Sequence, residues 1–117
     1  MLYPASKTIS YIQTLRSSDI CGLWEVIRIS QRDSHQKIYP WIKDRFKFDF
    51  LPEMMFICLR YGQNSQGTWY LSEKTSQGQK RYSIILNETF QYVILDICED
   101  DITISDQIND YLLVRKL

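Results

Sequence analysis

Apolar and polar residues alternate along this chain in short runs, and each run is cut by a turn before it grows long. From Arg45 to Phe50, Phe46, Phe48 and Phe50 fall on one side and Arg45, Lys47 and Asp49 on the other. That period of two is the mark of a strand with one buried face. Lys80 to Leu86 repeats it, with Tyr82, Ile84 and Leu86 together. Further strands are expected at Leu23–Ser30, Met54–Tyr61, Gly67–Glu73, Phe90–Cys98, Ile102–Ser105 and Tyr111–Lys116. Polar clusters separate them: Leu51-Pro52-Glu53, Gly62 to Gln66, Lys74 to Gln79, Asn87-Glu88-Thr89, Glu99-Asp100-Asp101 and Asp106 to Asp110. Nothing between the strands has a helical period. Crossover helices are therefore excluded, and the sheet is expected to be antiparallel.

With 117 residues the chain is expected to form one domain. About eight short strands without crossovers suit an up-and-down barrel, just wide enough for packed side chains or one small ligand. An aromatic content of 14% fits, because flat rings pack well on a pleated surface. The one helical candidate is Ser6 to Arg16, where Ile9, Ile12 and Leu15 share a face; Ser17-Ser18-Asp19 then reads as a break. The expected division is a helical or extended segment over 1–20 and a barrel over 21–117.

Composition and motifs exclude several functions. Lys plus Arg and Asp plus Glu both number 14, so no broad positive field invites nucleic acid. The pair Lys80-Arg81 reads as a solvated strand edge. Cys21, Cys58 and Cys98 form no CxxC pair, and the only His is His35 in a polar loop, so no metal site or cofactor is expected. Nucleophile–His catalysis and the common nucleotide-binding and hydrolase motifs also lack their residues. Glu99-Asp100-Asp101 reads as a solvated turn rather than a cation site. No continuous apolar run resembles a signal peptide or a membrane helix. A cytoplasmic protein is expected, or a secreted or periplasmic one if a leader has been trimmed.

Three local features carry a resemblance. Cys21-Gly22-Leu23-Trp24 opens the first strand after the helical candidate, Arg115 sits near the end of the last strand, and Gly67-Thr68-Trp69-Tyr70 follows a turn in the middle. In these the chain resembles the lipocalin-like (calycin) barrels, from about Ile20 to Leu117. The resemblance implies that Arg115 stacks over Trp24 and that an N-terminal turn plugs one end. The Thr-Asp-Tyr that often marks a later strand of that family is missing; the nearest text is Thr89-Phe90-Gln91-Tyr92. Gly22 and Trp24 are read as structural, since glycine permits a sharp entry and close backbone approach while a buried Trp offers a face to a guanidinium.

These readings lead to a non-catalytic domain that binds a small apolar ligand inside its barrel. The candidate lining is Phe46, Phe48 and Phe50, then Met54, Phe56 and Cys58, then Trp69, Tyr82, Ile84, Tyr92 and Ile94. The alternative is that these side chains simply fill the barrel and an outer face docks a partner. Met54 to Leu59 and Tyr92 to Leu95 are apolar on both faces, so something should cover the outer one. The outward set is Met55, Ile57 and Leu59, or Met54, Phe56 and Cys58 in the opposite register. A homodimer is the expected cover, with the N-terminal segment as the competing one.

Overall fold

The structure is a computed structural model that describes residues 14–39 and 46–116. It contains a one-turn helix α1 (Ser17–Ile20) and the strands β1 (Gly22–Gln31), β2 (Lys37–Ile38), β3 (Phe46–Phe50), β4 (Met55–Arg60), β5 (Gln63–Ser76), β6 (Gln79–Leu86), β7 (Phe90–Ile97), β8 (Asp101–Ser105) and β9 (Asn109–Lys116). Each strand runs antiparallel to its neighbours, including β2, a short ribbon paired to the end of β1. β9 pairs back onto β1, which closes an eight-stranded barrel. Closure removes the open sheet edges that would otherwise template association. The fold expected from the alternation is the fold observed.

The alternation also sets the inward face. Phe46, Phe48 and Phe50 are all buried, and their partners on β4 are Arg60, Cys58 and Phe56. Phe56 therefore faces inward, and Met55, Ile57 and Leu59 face outward. Two β-bulges explain why apolar runs are longer than one face needs. The pairing shifts at Ile27 in β1 and at Leu95 in β7, and both side chains sit partly in solvent.

Three expectations need correction. Gly62 to Gln66 is not a turn: the reversal takes only Tyr61 and Gly62, both at positive φ, and Gln63 begins β5 opposite Arg60. Likewise Lys74 to Gln79 is mostly strand around the two-residue turn Gln77-Gly78. Positive φ at both central residues is what a type I′ hairpin requires, and the glycine supplies one of them without strain. Met54 does not face the interior; it occupies the turn before β4 at φ 66° and is part-exposed.

The helix lies later than expected. Residues 6–13 of the candidate lie outside the described residues, and Thr14, Leu15 and Arg16 are not helical. The helical turn forms at Ser17–Ile20, where a break was expected. Asp19 makes it possible: its carboxylate accepts the Arg16 amide at 2.8 Å while its own amide donates to the Arg16 carbonyl at 2.9 Å. Leu15 and Ile20 are buried in the same core as the strands.

Candidate functional site

The two ends of the barrel are built differently. At one end the segment Thr14 to Cys21 crosses the opening. Trp24 is fully buried there, and its Nε1 donates to the Ile20 carbonyl at 2.7 Å. The Arg115 guanidinium lies over the Trp24 ring, 4.2 Å from its centroid. Its Nη1 donates to the Cys21 carbonyl at 2.7 Å and its Nη2 to the Asp19 carbonyl at 2.9 Å. Three consecutive carbonyls at the end of α1, which a single helical turn leaves unpaired, are thus all satisfied. Gly22 enters β1 at φ 127°, and a Cβ there would stand 2.8 Å from Arg115 Nη1. The stacked pair implied by the resemblance is present, and it seals this end. The same strap bonds sideways: the Leu15 amide donates to the Tyr82 hydroxyl at 3.2 Å.

The opposite end carries the turns β4–β5, β6–β7 and β8–β9 and the end of β1. Between them lies a cavity of about 620 Å³, the size of many small-molecule sites. Phe46, Phe48, Phe56, Leu86, Phe90 and Tyr92 form its apolar wall. Phe48 stacks on Phe50 at 5.5 Å and meets Tyr92 edge-on at 5.8 Å. Polar side chains border it toward the mouth: Arg60, Gln63 and Ser65, in inward register on β4 and β5, with Tyr61, Asn64, Asn87 and Thr89, all of them exposed. The opening exists because β5 changes partner. Gln63 to Thr68 pairs with β4, and β6 begins to pair only from Trp69. The upper part of β5 is therefore free of β6, and Asn87 spans the junction by accepting the Thr68 amide at 3.1 Å.

Polar groups inside this end are tuned by their surroundings. Burial raises the Tyr92 phenol well above its ordinary value, and the nearby Tyr111 and Asp106 add to the effect. Tyr111 is raised by burial and by donating to Asp106 at 2.7 Å. Burial works against the Asp106 carboxylate, but the hydroxyl of Tyr111 and the amides of Asn109 and Ile108 outweigh it and hold the group below its ordinary value. Burial also raises the Cys58 thiol. That shift opposes thiolate formation, so Cys58 is no ready nucleophile. Among the described residues, no three His, Cys, Asp or Glu side chains gather to hold a metal ion.

Of the lining expected from sequence, Phe46, Phe48, Phe56, Cys58 and Tyr92 border the cavity. Phe50, Trp69, Tyr82, Ile84 and Ile94 are buried but pack the solid part of the barrel. Phe50 lies opposite Gly22, and Trp69 donates Nε1 to the Leu51 carbonyl at 3.1 Å, which places both toward the sealed end. The polar residues at the mouth were missed. Arg60 shares the inward parity of Phe56 and Cys58, a signal the sequence did contain. Gln63 and Ser65 were hidden by reading their segment as a turn. The rim is unusually apolar: Ile38, Tyr39, Tyr61, Phe90 and Ile108 all stand exposed at this end.

A small antiparallel barrel sealed at one end by a helical turn under a Trp–Arg stack, and hollow at the other, defines the lipocalin-like class of fold. The structure is similar to the crystal structure of a lipocalin-like protein from Bacteroides uniformis ATCC 8492, with a TM-score of 0.56, 16% sequence identity, and coverage of 84% of this chain and 99% of that one. No family model and no curated protein matches the sequence. The likeness carries the fold; the reading of the site rests on the geometry above.

Proposed function

We propose that the protein is a non-catalytic binding domain that takes a small, largely apolar molecule into the open end of its barrel. The observation that supports this most is the asymmetry of the interior. Packed rings fill it beside the sealed end, while aromatic side chains surround an accessible hollow at the other. A barrel that served only as a scaffold would be expected to pack such rings together, since unfilled apolar space forfeits dispersion contacts. Among the described residues that border the cavity, no pair matches a nucleophile and its base.

The test uses a neutral apolar fluorophore, N-phenyl-1-naphthylamine. It should bind with an affinity on the order of micromolar, within the range typical of modest apolar burial. Phe48→Trp places extra volume at the floor of the hollow and should abolish that binding while near-ultraviolet circular dichroism still reports a folded barrel. Binding unchanged by Phe48→Trp would move the site to the surface.

Association is a second reading, favoured by Met55 and Ile57, which are 40% and 38% exposed on the outer face of β4. Their neighbours there limit it. Asp49 and Gln66 flank Ile57, and Lys47 and Asn64 flank Leu59, so the apolar stripe is one strand wide. A twofold contact across this stripe would give a dimer mass in light scattering at micromolar concentration, and Ile57→Lys would convert it to the monomer; a monomer mass for the unaltered protein removes this reading.

A further inference from the structure

We propose that the ligand of this cavity is an amphipathic organic acid, one apolar body with a single anionic head, and that Arg60 receives the head. This rests on the interior-binding reading above and deepens it.

Among the described residues that border the cavity, Arg60 is the one that carries a full charge, and no Asp or Glu is among them. Arg60 is exposed at the mouth, and its strand register and ring contacts turn it toward the cavity. Arg60 pairs with Phe46 across the β3–β4 ladder, on the inward side of both strands. Its guanidinium lies over the Phe46 ring, 4.6 Å from the centroid, and 5.5 Å from that of Tyr61. Stacking uses the flat face of a guanidinium and leaves its N–H edge for an acceptor. Among the described residues no carboxylate lies within ion-pair reach of it. Asp106, at the same end of the barrel, is already held by Tyr111, Asn109 and Ile108. A cation at the cavity mouth with no counter-ion among the described residues is what a site for an anion needs, and a bidentate guanidinium suits a planar or trigonal acid group best.

The rest of the lining fits the same molecule. Gln63 sits opposite Arg60 on β5 and Ser65 opposite Cys58, which gives the anionic head further hydrogen-bonding neighbours at the mouth. Further along the same strands Phe48 and Phe56, with Tyr92 on β7, offer only apolar surface and one phenol. Head and body of the ligand are thus sorted by depth: the acid at the β4–β5 turn near solvent, the apolar part against the rings further in.

Two dyes that share one body separate the idea from plain apolar binding. 1-Anilinonaphthalene-8-sulfonate carries a sulfonate that N-phenyl-1-naphthylamine lacks. The folded protein should bind the sulfonate dye at least ten-fold more tightly than the neutral one. Arg60→Gln should remove that preference, weakening the sulfonate dye ten-fold or more and leaving the neutral dye within two-fold. Arg60→Lys, which keeps the charge, should recover part of it. Melting curves and near-ultraviolet circular dichroism of each variant confirm that the barrel is intact. Equal affinities for the two dyes, or an equal loss of both in Arg60→Gln, would overturn the acid-head proposal while leaving interior binding standing. Failure of both dyes to bind the unaltered protein would overturn interior binding itself, and this inference with it.

Discussion

The sealed end and the open end of this barrel are made from the same kinds of residue, used in opposite ways. Each has a Trp or Phe beneath an arginine: Arg115 over Trp24 at one end, Arg60 over Phe46 at the other. At the sealed end every side-chain nitrogen of the stacked pair has a carbonyl acceptor, Arg115 Nε taking that of Glu99. Arg115 meets carbonyls of Asp19 and Cys21, Trp24 meets that of Ile20, and Gly22 leaves no room for a side chain beside the guanidinium. At the open end Arg60 has its stacking partners but no ion pair among the described residues, and large apolar side chains stand in solvent around it. A stacked arginine stabilises a fold when its edge is satisfied by backbone; when the edge is left to solvent, the same stack holds a donor ready for something else.

The contrast predicts where the molecule can be damaged. Trp24→Ala should cost about 3–5 kcal/mol of stability in denaturant unfolding, the range for truncating a large buried aromatic. Phe90→Ala, at a 59% exposed rim residue, should change stability by no more than about 0.5 kcal/mol. Comparable losses would mean that the two ends carry the fold equally. A double-mutant cycle isolates the stack itself. Trp24→Ala and Arg115→Ala should be coupled by about 0.5–3 kcal/mol, as residues in contact usually are, and simple additivity would mean that the stack contributes nothing.

Glycines give the next test. Gly22 and Gly62 both adopt positive φ, so alanine is strained at either. Around Gly62 an added Cβ meets nothing, whereas at Gly22 it meets Arg115 Nη1. Gly22→Ala should therefore lose about 1–3 kcal/mol, and Gly62→Ala should fall near the low end of that range. Thermal melts of the two variants side by side decide it, and the reverse order would mean that the guanidinium moves aside freely.

The smallest effect concerns acid. The Asp106 carboxyl titrates below its ordinary value of 3.8 in the folded protein. A depressed carboxyl adds stability that is present above the unfolded value and lost as pH falls through the folded one. Asp106→Asn should lower stability modestly at neutral pH and flatten the loss on acidification below 3.8. Melting temperatures followed from neutral to strongly acidic pH test this; identical acid slopes for the two proteins would show that the Tyr111–Asp106 contact carries no net stabilisation.

Much of this architecture is legible in the residues alone. The Phe46-Phe48-Phe50 alternation fixes which face of β3 is buried, because a strand's side chains must alternate. The Gly22-Leu23-Trp24 entry and the distant Arg115 point to the seal through their resemblance to lipocalin-like chains, and the structure places them in contact. Turn lengths were less legible. Tyr61-Gly62 and Gln77-Gly78 each reverse the chain in two residues, while the polar residues around them, which look like loop by composition, continue as strand. The helical turn at Ser17–Ile20 depends on one carboxylate closing back on Arg16, too short a pattern to show as periodicity.

Inward or outward parity is a property of one strand, and the sequence determines it. Depth along the barrel axis is a property of how neighbouring strands are staggered, and only the tertiary structure decides it. Phe48 and Phe50 are two residues apart with the same parity, yet Phe48 borders the hollow and Phe50 packs solid core. Nothing in their own strand distinguishes them. The difference arises because β5 leaves β4 for β6 near Trp69, which opens space beside one ring and closes it beside the other. That change of partner also turns Arg60, an ordinary charge at a strand end in the sequence, into the one charged side chain bordering the cavity among the described residues.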